Sequence, residues 1–500
     1  MRIVPEQLEL SRELPVVVGN VDYLMFQKRL ERLDELLRLS GLEEAYVEQR
    51  LSAWREEGRK LATTEGRAYQ EPSGKAQARY QKMCRQALRC NLARQLTEKE
   101  YRKFSRRVAE SPLLQWFCRI ERVEQVKVPS KSALERYDKM ASESEIRGLV
   151  DLLNRQAVTE WERLDLAKAV ALDVYFSDTT CVKANIHFPT DWVLLRDGVR
   201  TLMKGMKLIR KHGLKQRMPA PDLFLRQINR LSMEMSQSRR RPDSAKRRKA
   251  TLRQMKRLTK VVLEHAQRYV LRLQKEWEQT DLSEGEMKGI VGRLQGVMEQ
   301  LPEAMRQAHE RIIGGRQVAN KGKILSLYEP DIHVIVRHKA DAEVEFGNTL
   351  LLAEQTDGLI LDWELEQAIS RGDVALLQPS LERVKAVIGQ YPRAAGADRG
   401  FDSKENRRWL EAQGIQNALC PRSPQELKER MGDPTFRKIQ KRRAQTEARI
   451  GILKNDFLGR PMRSKGFEHR QKAVAWAILA HNLWLLAQLP GASEALKKAA

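Results

Sequence analysis

Three acidic residues stand where an α/β fold would expose them. Asp178 closes an apolar, β-branched run over 170–178. Asp398 closes a shorter one and is followed by Arg399 and Gly400, and Glu447 lies in a helical stretch over 435–457. Hard divalent cations take carboxylate oxygens, and two such ions about 3.5–4 Å apart clamp the attacking and leaving oxygens of an in-line displacement at a phosphodiester. Acids on separate elements can converge on such a centre, whereas acids crowded in one loop bridge two ions poorly. Arg443 lies four residues before Glu447, Gly451 four after and Lys454 seven after. At 3.6 residues per turn they make one stripe roughly 16 Å long. A carboxylate between two cations suits a metal held among phosphate contacts, and the same spacing also serves ordinary surface ion pairs.

Other candidates have weaker patterns. Asp173 lies five residues before Asp178 and so faces the opposite side of a strand. Asp191, Asp362 and Asp402 fit supporting or surface roles, and His187 a structural one. His333 and His338 lack a third ligand, so no metal is assigned there, and Trp363, Trp409, Trp476 and Trp484 sit in apolar, core-like contexts.

The elements that must position the acids follow from periodicity. Residues 1–160 read as helices, with Leu30, Leu33, Leu36 and Leu37 at helical spacing. Thr97 and Glu100 suggest a capping box. The stretch 131–137 after Ser130 is either a bundle helix or the recognition helix of a helix-turn-helix. A buried strand spans 170–178, with Asp178 at its C-terminal end. Residues 222–313 are helical again, and 239–260 hold eleven Lys or Arg and one acid, Asp243, which makes either a solvated face or a DNA contact. After Gly314, Gly315 and Gly322, residues 344–354 and 359–365 form a hairpin about Asp357-Gly358. A helix over 365–388, a strand ending at Asp398, a helix from Ser403, a strand over 415–420 and a helix over 436–457 complete an α/β order with one mixed sheet. The apolar stretch 473–489 contains His481, Asn482 and Gln488 and is shorter than the roughly 20 apolar residues of a membrane span. It reads as a core helix.

Composition bounds the partners. The 500 residues carry 91 Lys and Arg against 66 Asp and Glu, a formal charge of +25, and 41% are hydrophobic, enough for a sizeable core. Such a surplus calls for a polyanion, either nucleic acid or an anionic membrane surface. The basic run from Arg239 lacks the aromatic or leucine-rich opposing face that a membrane surface needs. Five widely spaced cysteines without a Cys-x-x-Cys pair argue against a disulfide framework, and the N-terminal residues 1–6 hold no apolar secretory core. Both point to the cytoplasm.

Three blocks in order carry a resemblance. Asp178-Thr-Thr-Cys-Val-Lys-Ala-Asn-Ile-His-Phe-Pro-Thr-Asp191 resembles the first catalytic block of bacterial insertion-sequence DDE transposases, and Ala397-Asp398-Arg-Gly-Phe-Asp-Ser403 resembles the second. Arg443-x3-Glu447-x6-Lys454 is similar to the end of their Tyr-x2-Arg-x3-Glu-x6-Lys signature, with Gln440 where that signature has tyrosine. Residues 113–117 and 128–132 resemble their N-terminal helical region. The resemblance implies a ribonuclease H-like α/β core in which Asp178, Asp398 and Glu447 are the catalytic, metal-binding triad. Arg443 and Lys454 would bind transposon-end DNA. The metal would be Mg²⁺, two ions, with Mn²⁺ as a possible substitute. The implied reaction is nicking at the element ends followed by strand transfer into target DNA. A nuclease that cuts without joining, or a non-catalytic DNA-binding regulator, would share these features. The expected organisation is a helical DNA-binding or oligomerisation domain over 1–160, a catalytic domain split between 165–200 and 324–460, a basic helical insertion over 201–323 and a C-terminal helical segment over 461–500. The partner would be double-stranded DNA, bound by a homodimer without membrane contact, at the bacterial nucleoid.

Overall fold

The computed structural model describes residues 14, 16–120, 125–238, 242–339, 342–459 and 462–492. The N-terminal residues 1–6, Arg239 to Arg241 and the side chain of His338 lie outside the described residues. The chain opens with α1 (Val21–Ser40), α2 (Leu42–Thr64), α3 (Gly74–Leu96), α4 (Tyr101–Glu110), α5 (Pro112–Phe117), α6 (Lys131–Lys139) and α7 (Glu143–Thr159). Asn20, Ser73, Ser111, Ser130 and Ser142 cap α1, α3, α5, α6 and α7, each side chain accepting from a backbone N–H of the first turn. Thr97 does not open a helix as the sequence suggested. It ends α3 and donates its hydroxyl to the Ala93 carbonyl, because the apolar stripe of α3 runs on through Leu92 and Leu96. Leu30, Leu33, Leu88, Leu92, Phe104 and Phe117 share one core, and α6 adds Leu134 and Tyr137 to it as a member of the bundle. Arg89 is buried there with Glu43 and Asp34 as counter-ions.

A second helical unit, α8 (Asp191–Lys211), α9 (Pro221–Gln237), α10 (Ser244–Glu276) and α11 (Glu284–Ala308), is inserted into the sheet. It has its own core, including Leu195, Leu202, Met255, Val262, Leu294 and Leu301. The unit starts at Asp191, earlier than the expected 201, because Trp192, Leu195 and Val199 already pack into it. Its two ends are stapled together. Asp191, nearly fully buried, accepts from Arg311 at 2.9 Å and from Gln307 at 2.8 Å, on the two sides of the α11 terminus.

The sheet is mixed, as expected, and comprises β1 (Val174–Lys183), β2 (His333–Lys339), β3 (Ala342–Glu354), β4 (Ile360–Leu365), β5 (Ala394–Ala397) and β6 (Gln416–Asn417). The long β3 pairs antiparallel with β1 through residues 347–354, and with β2 and β4 as well. On the far side of β1 lie β5 and then β6, both parallel. The β3–β4 turn closes at Gly358, whose φ of +99° is the left-handed conformation that glycine alone adopts without strain. The remaining helices are α12 (Asp373–Ile388), α13 (Lys404–Ala412), α14 (Pro424–Arg430), α15 (Pro434–Ile452) and α16 (Phe467–Leu486).

Three expectations shift. β1 begins four residues later than expected and continues to Lys183, because Cys181, Val182 and Lys183 pair with Thr349, Asn348 and Gly347. Asp178 is therefore mid-strand. α12 starts at Asp373 rather than 365, since Leu365 completes β4 opposite Leu350. The helix expected through Phe457 leaves α-geometry at Leu453 for a wider π-turn over Leu453–Leu458.

The C-terminal α16 is the core helix that the sequence suggested, with Trp476, Ile478 and Leu483 buried. Among the described residues no helix is long and apolar enough to cross a membrane. Polar pairs lock α16 in place. Asn482 bonds Asn154 of α7 at 3.0 Å and the Ile360 carbonyl of β4 at 2.8 Å. Fully buried Arg470 pairs with Glu329 and donates to Asn348 of β3 at 2.9 Å. All five cysteines are buried free thiols.

Candidate active site

The alternation of β1 distributes its side chains between two helices. Tyr175 and Thr179 reach α12, their hydroxyls donating to Ser380 at 2.7 Å and to Asp373 at 2.9 Å. Phe176, Asp178 and Thr180 share the opposite side. Phe176 packs with Ile439 of α15, and Thr180 accepts from Lys454 Nζ at 3.0 Å. The parallel register of β1 with β5 ends at Ser177 and Ala397. One step further it sets Asp178 beside Asp398 on neighbouring strands, which run about 4.8 Å apart.

α15 is oriented by a clamp at the C-terminal end of β3. Glu354, nearly fully buried, accepts from Thr446 at 2.8 Å and from Arg442 at 3.1 Å. Arg442 also donates to the Thr356 carbonyl, at 2.8 Å. With residues 442 and 446 tied to the sheet, the adjacent stripe of Arg443 and Glu447 faces the cleft. That cleft, about 920 Å³, is lined by Asp178, Asp398, Arg443, Glu447 and Lys454. The structure thus brings all five sequence-derived residues to one place. Lys454 arrives by the π-turn and is buried, so it is not on the regular α-helical stripe drawn from the spacing. Gln440 ties Arg443 to the sheet edge, accepting from its Nε at 3.1 Å and donating to the Ala418 carbonyl at 2.6 Å.

The cleft also holds residues that the sequence did not single out for it. Asp373, at the first turn of α12, is a fourth carboxylate, and His333 and Glu345 lie along the wall. The sequence signal for Asp373 was its place after the Ser370-Arg-Gly372 turn, immediately before an apolar helix. Gly400 is needed for room rather than for the sharp exit suggested by its type. A Cβ there would collide with the Asp373 carboxylate and stand 2.9 Å from Asp398 Oδ1, which accepts from the Gly400 N–H at 2.8 Å. On the expectation that the cleft cuts DNA, Gly400→Ala should displace both carboxylates and slow single-turnover cleavage roughly 10²-fold, the cost of a misplacement near 1 Å. Unaltered cleavage would mean that these two carboxylates do not need their present spacing.

Burial first, then the Asp398 carboxylate and to a smaller extent Asp373, push the Asp178 carboxyl up to about 6. The Thr179 N–H, at 2.7 Å, and the Arg443 guanidinium oppose the rise. A native carboxyl that holds its proton to pH 6, when the unfolded one releases it near 3.9, makes stability fall as pH rises between those values. In the metal-free protein Asp178→Asn is therefore expected to stabilise by about 1–3 kcal/mol at pH 7.5. The gain should fade as pH falls through 6 towards 4, as read by urea denaturation at several pH values. A gain independent of pH would contradict this origin.

The neighbouring acids serve structure. Asp362 is buried against Arg383, at 2.8 Å, and Ser380, at 2.6 Å. Asp402 is held by Arg407 at 2.6 Å, and Asp173 accepts from the Val174 N–H and from Thr356. His187 is exposed, and Trp363 and Trp476 are core residues. Among the described residues no three His, Cys, Asp or Glu side chains form a group close enough to hold an ion as they stand.

Residues 338–483 match the sequence model of the family described as Transposase DDE domain. The span includes Asp373, Asp398, Arg443, Glu447 and Lys454 and leaves Asp178 outside. No curated protein and no solved structure matches the chain.

Proposed function

We propose that this chain is a DDE transposase with a ribonuclease H-like catalytic core. In this reading it cuts DNA at the ends of an insertion sequence and joins the freed 3′-hydroxyls to target DNA. One observation carries the reading: β1 delivers Asp178, from outside the matched span, to the cleft that holds Asp398 and Glu447.

The donor chemistry fits Mg²⁺, with Mn²⁺ as a substitute. The carboxylates offer only hard oxygens, and a desolvated aspartate beside a second one is relieved by a divalent cation. Asp178, Asp398 and Glu447 would hold two ions, and Glu447, exposed and with the longest side chain of the three, is the ligand that adjusts. Bound there, the ions would supply Lewis acidity at the phosphorus and acidify the attacking water or 3′-hydroxyl. Arg443, braced by Gln440, and Lys454, braced by Thr180, hold phosphates of the element end against the acids. The helices of 1–160 take the DNA-binding or oligomerisation role, and two ends handled together call for a dimer on the DNA.

The test is an excision and integration assay in cells. The gene and its Glu447→Gln version are each supplied with the flanking DNA of their own locus. Movement that requires Glu447 supports the reading. Cutting without any joined product makes the chain a nuclease, and no cutting from either version rejects catalysis.

A further inference from the structure

Charge is unevenly spread along this chain. Residues 201–323 hold 29 Lys and Arg against 12 Asp and Glu, so +17 of the total +25 falls in about a quarter of the length. Within the insertion the surplus concentrates on the first half of α10. Lys246, Lys249, Arg253, Arg257 and Lys260 recur at three- and four-residue steps and share one face, roughly 21 Å long at 1.5 Å per residue. Four of the five are exposed and Lys249 is half-buried. Among the described residues none of the five has an ion pair with an acid, whereas Arg272 further along α10 pairs with Glu276 at 2.9 Å.

This arrangement works against the helix that carries it. The first turn of α10 holds no acid, and Lys246 to Lys249 put four cations at the end where the helix dipole is already positive. Like charges at four-residue spacing add repulsion. Asp243 at the N-cap pairs with Arg247 and offsets part of this charge, and a local rule broken to the extent that remains marks a surface kept for a partner.

The position of the stripe identifies the partner's path. Arg248 lies 5.2 Å from the ring centre of Trp192, at the start of α8, and Lys256 Nζ is 3.1 Å from His309 Nδ1, just past α11. The basic half of α10 is therefore at the root of the bundle, where the chain leaves β1 and returns to β2. The opposite end is marked by the contact of His212 with Asp281. Lys183, last in β1, and His333, first in β2, both line the catalytic cleft. We infer that the exposed face of Lys246 to Lys260 is a second DNA-binding surface, which holds the phosphate backbone of duplex DNA beside the cleft without reading its sequence. That the polyanion is DNA rests on the transposase reading; the site itself rests on charge and placement.

The test uses the full chain with two duplexes, one of its own terminal sequence and one scrambled, over a range of salt concentrations. Arg253→Gln, Arg257→Gln and Lys260→Gln together are expected to weaken both duplexes at least tenfold at low salt. The log–log salt slope should fall by roughly 0.9 for each lost phosphate contact. The melting temperature should stay that of the unmodified protein, since all three side chains are exposed. A charge-conserving triple variant, Arg253→Lys, Arg257→Lys and Lys260→Arg, should keep affinity and slope. Unchanged affinity and slope in the glutamine variant, with the unmodified protein binding DNA and cutting it through Glu447, overturn the surface alone. An unmodified protein that binds no duplex overturns both readings.

Discussion

If the chain cuts DNA as proposed, Asp398→Asn is expected to lower the metal-dependent rate roughly a thousandfold, the worth of about 4 kcal/mol of transition-state stabilisation. The substitution keeps the shape at the end of β5, and the amide oxygen can still accept the Gly400 N–H, so folding survives. What it removes is a negative charge next to Asp178, and with it the pull on a divalent cation. Duplex affinity, which the inferred surface on α10 would carry, should change little. The check is single-turnover nicking of a labelled element end in Mg²⁺, paired with a binding titration. Equal nicking rates for the two proteins would remove Asp398 from the triad, and loss of binding in parallel with nicking would make its role structural.

The largest expected effect on stability is at Arg470. Its guanidinium is fully buried, and removing it leaves the buried Glu329 carboxylate, among the described residues, with the Gly466 N–H at 2.9 Å as its remaining partner. Breaking such a pair from one side costs about 3–5 kcal/mol. Arg470→Met is expected to lose that much in urea denaturation, whereas Arg470→Met with Glu329→Leu should recover most of it, since no charge is then stranded. A single variant within about 1 kcal/mol of the parent would show that water already reaches the pair.

Much of the site was legible because its signals are local. The short apolar run before Asp398 and the four-residue step from Arg443 to Glu447 are properties of neighbouring residues, and the structure places both as expected. The hairpin about Asp357-Gly358 is equally local. What escaped depends on distant partners. The extent of β1 is decided by pairing with β3 across the insertion, so the strand end could not be read from residues 170–183 alone. The N-terminal boundary of α12 is set by pairing of Leu365 with Leu350, which hid Asp373 within an apparently helical run. The room required at Gly400 arises from a carboxylate 27 positions away, and no local pattern announces that.

The staple between Asp191 and Arg311 also bears on how the molecule is assembled. Val182 pairs with Asn348, so the central strands must close a loop of about 165 residues. For a flexible chain that closure is slow, because its entropy is lost before any pairing rewards it. The insertion has a separate core in which α8 packs against α10 and α11, so that once formed it holds its two ends together at Asp191 and Arg311. Once folded, it holds the end of β1 and the start of β2 near one another, on either side of β3, as though a short connector joined them. The insertion that carries the basic stripe of α10 thus also shortens the closure that the interrupted sheet must make.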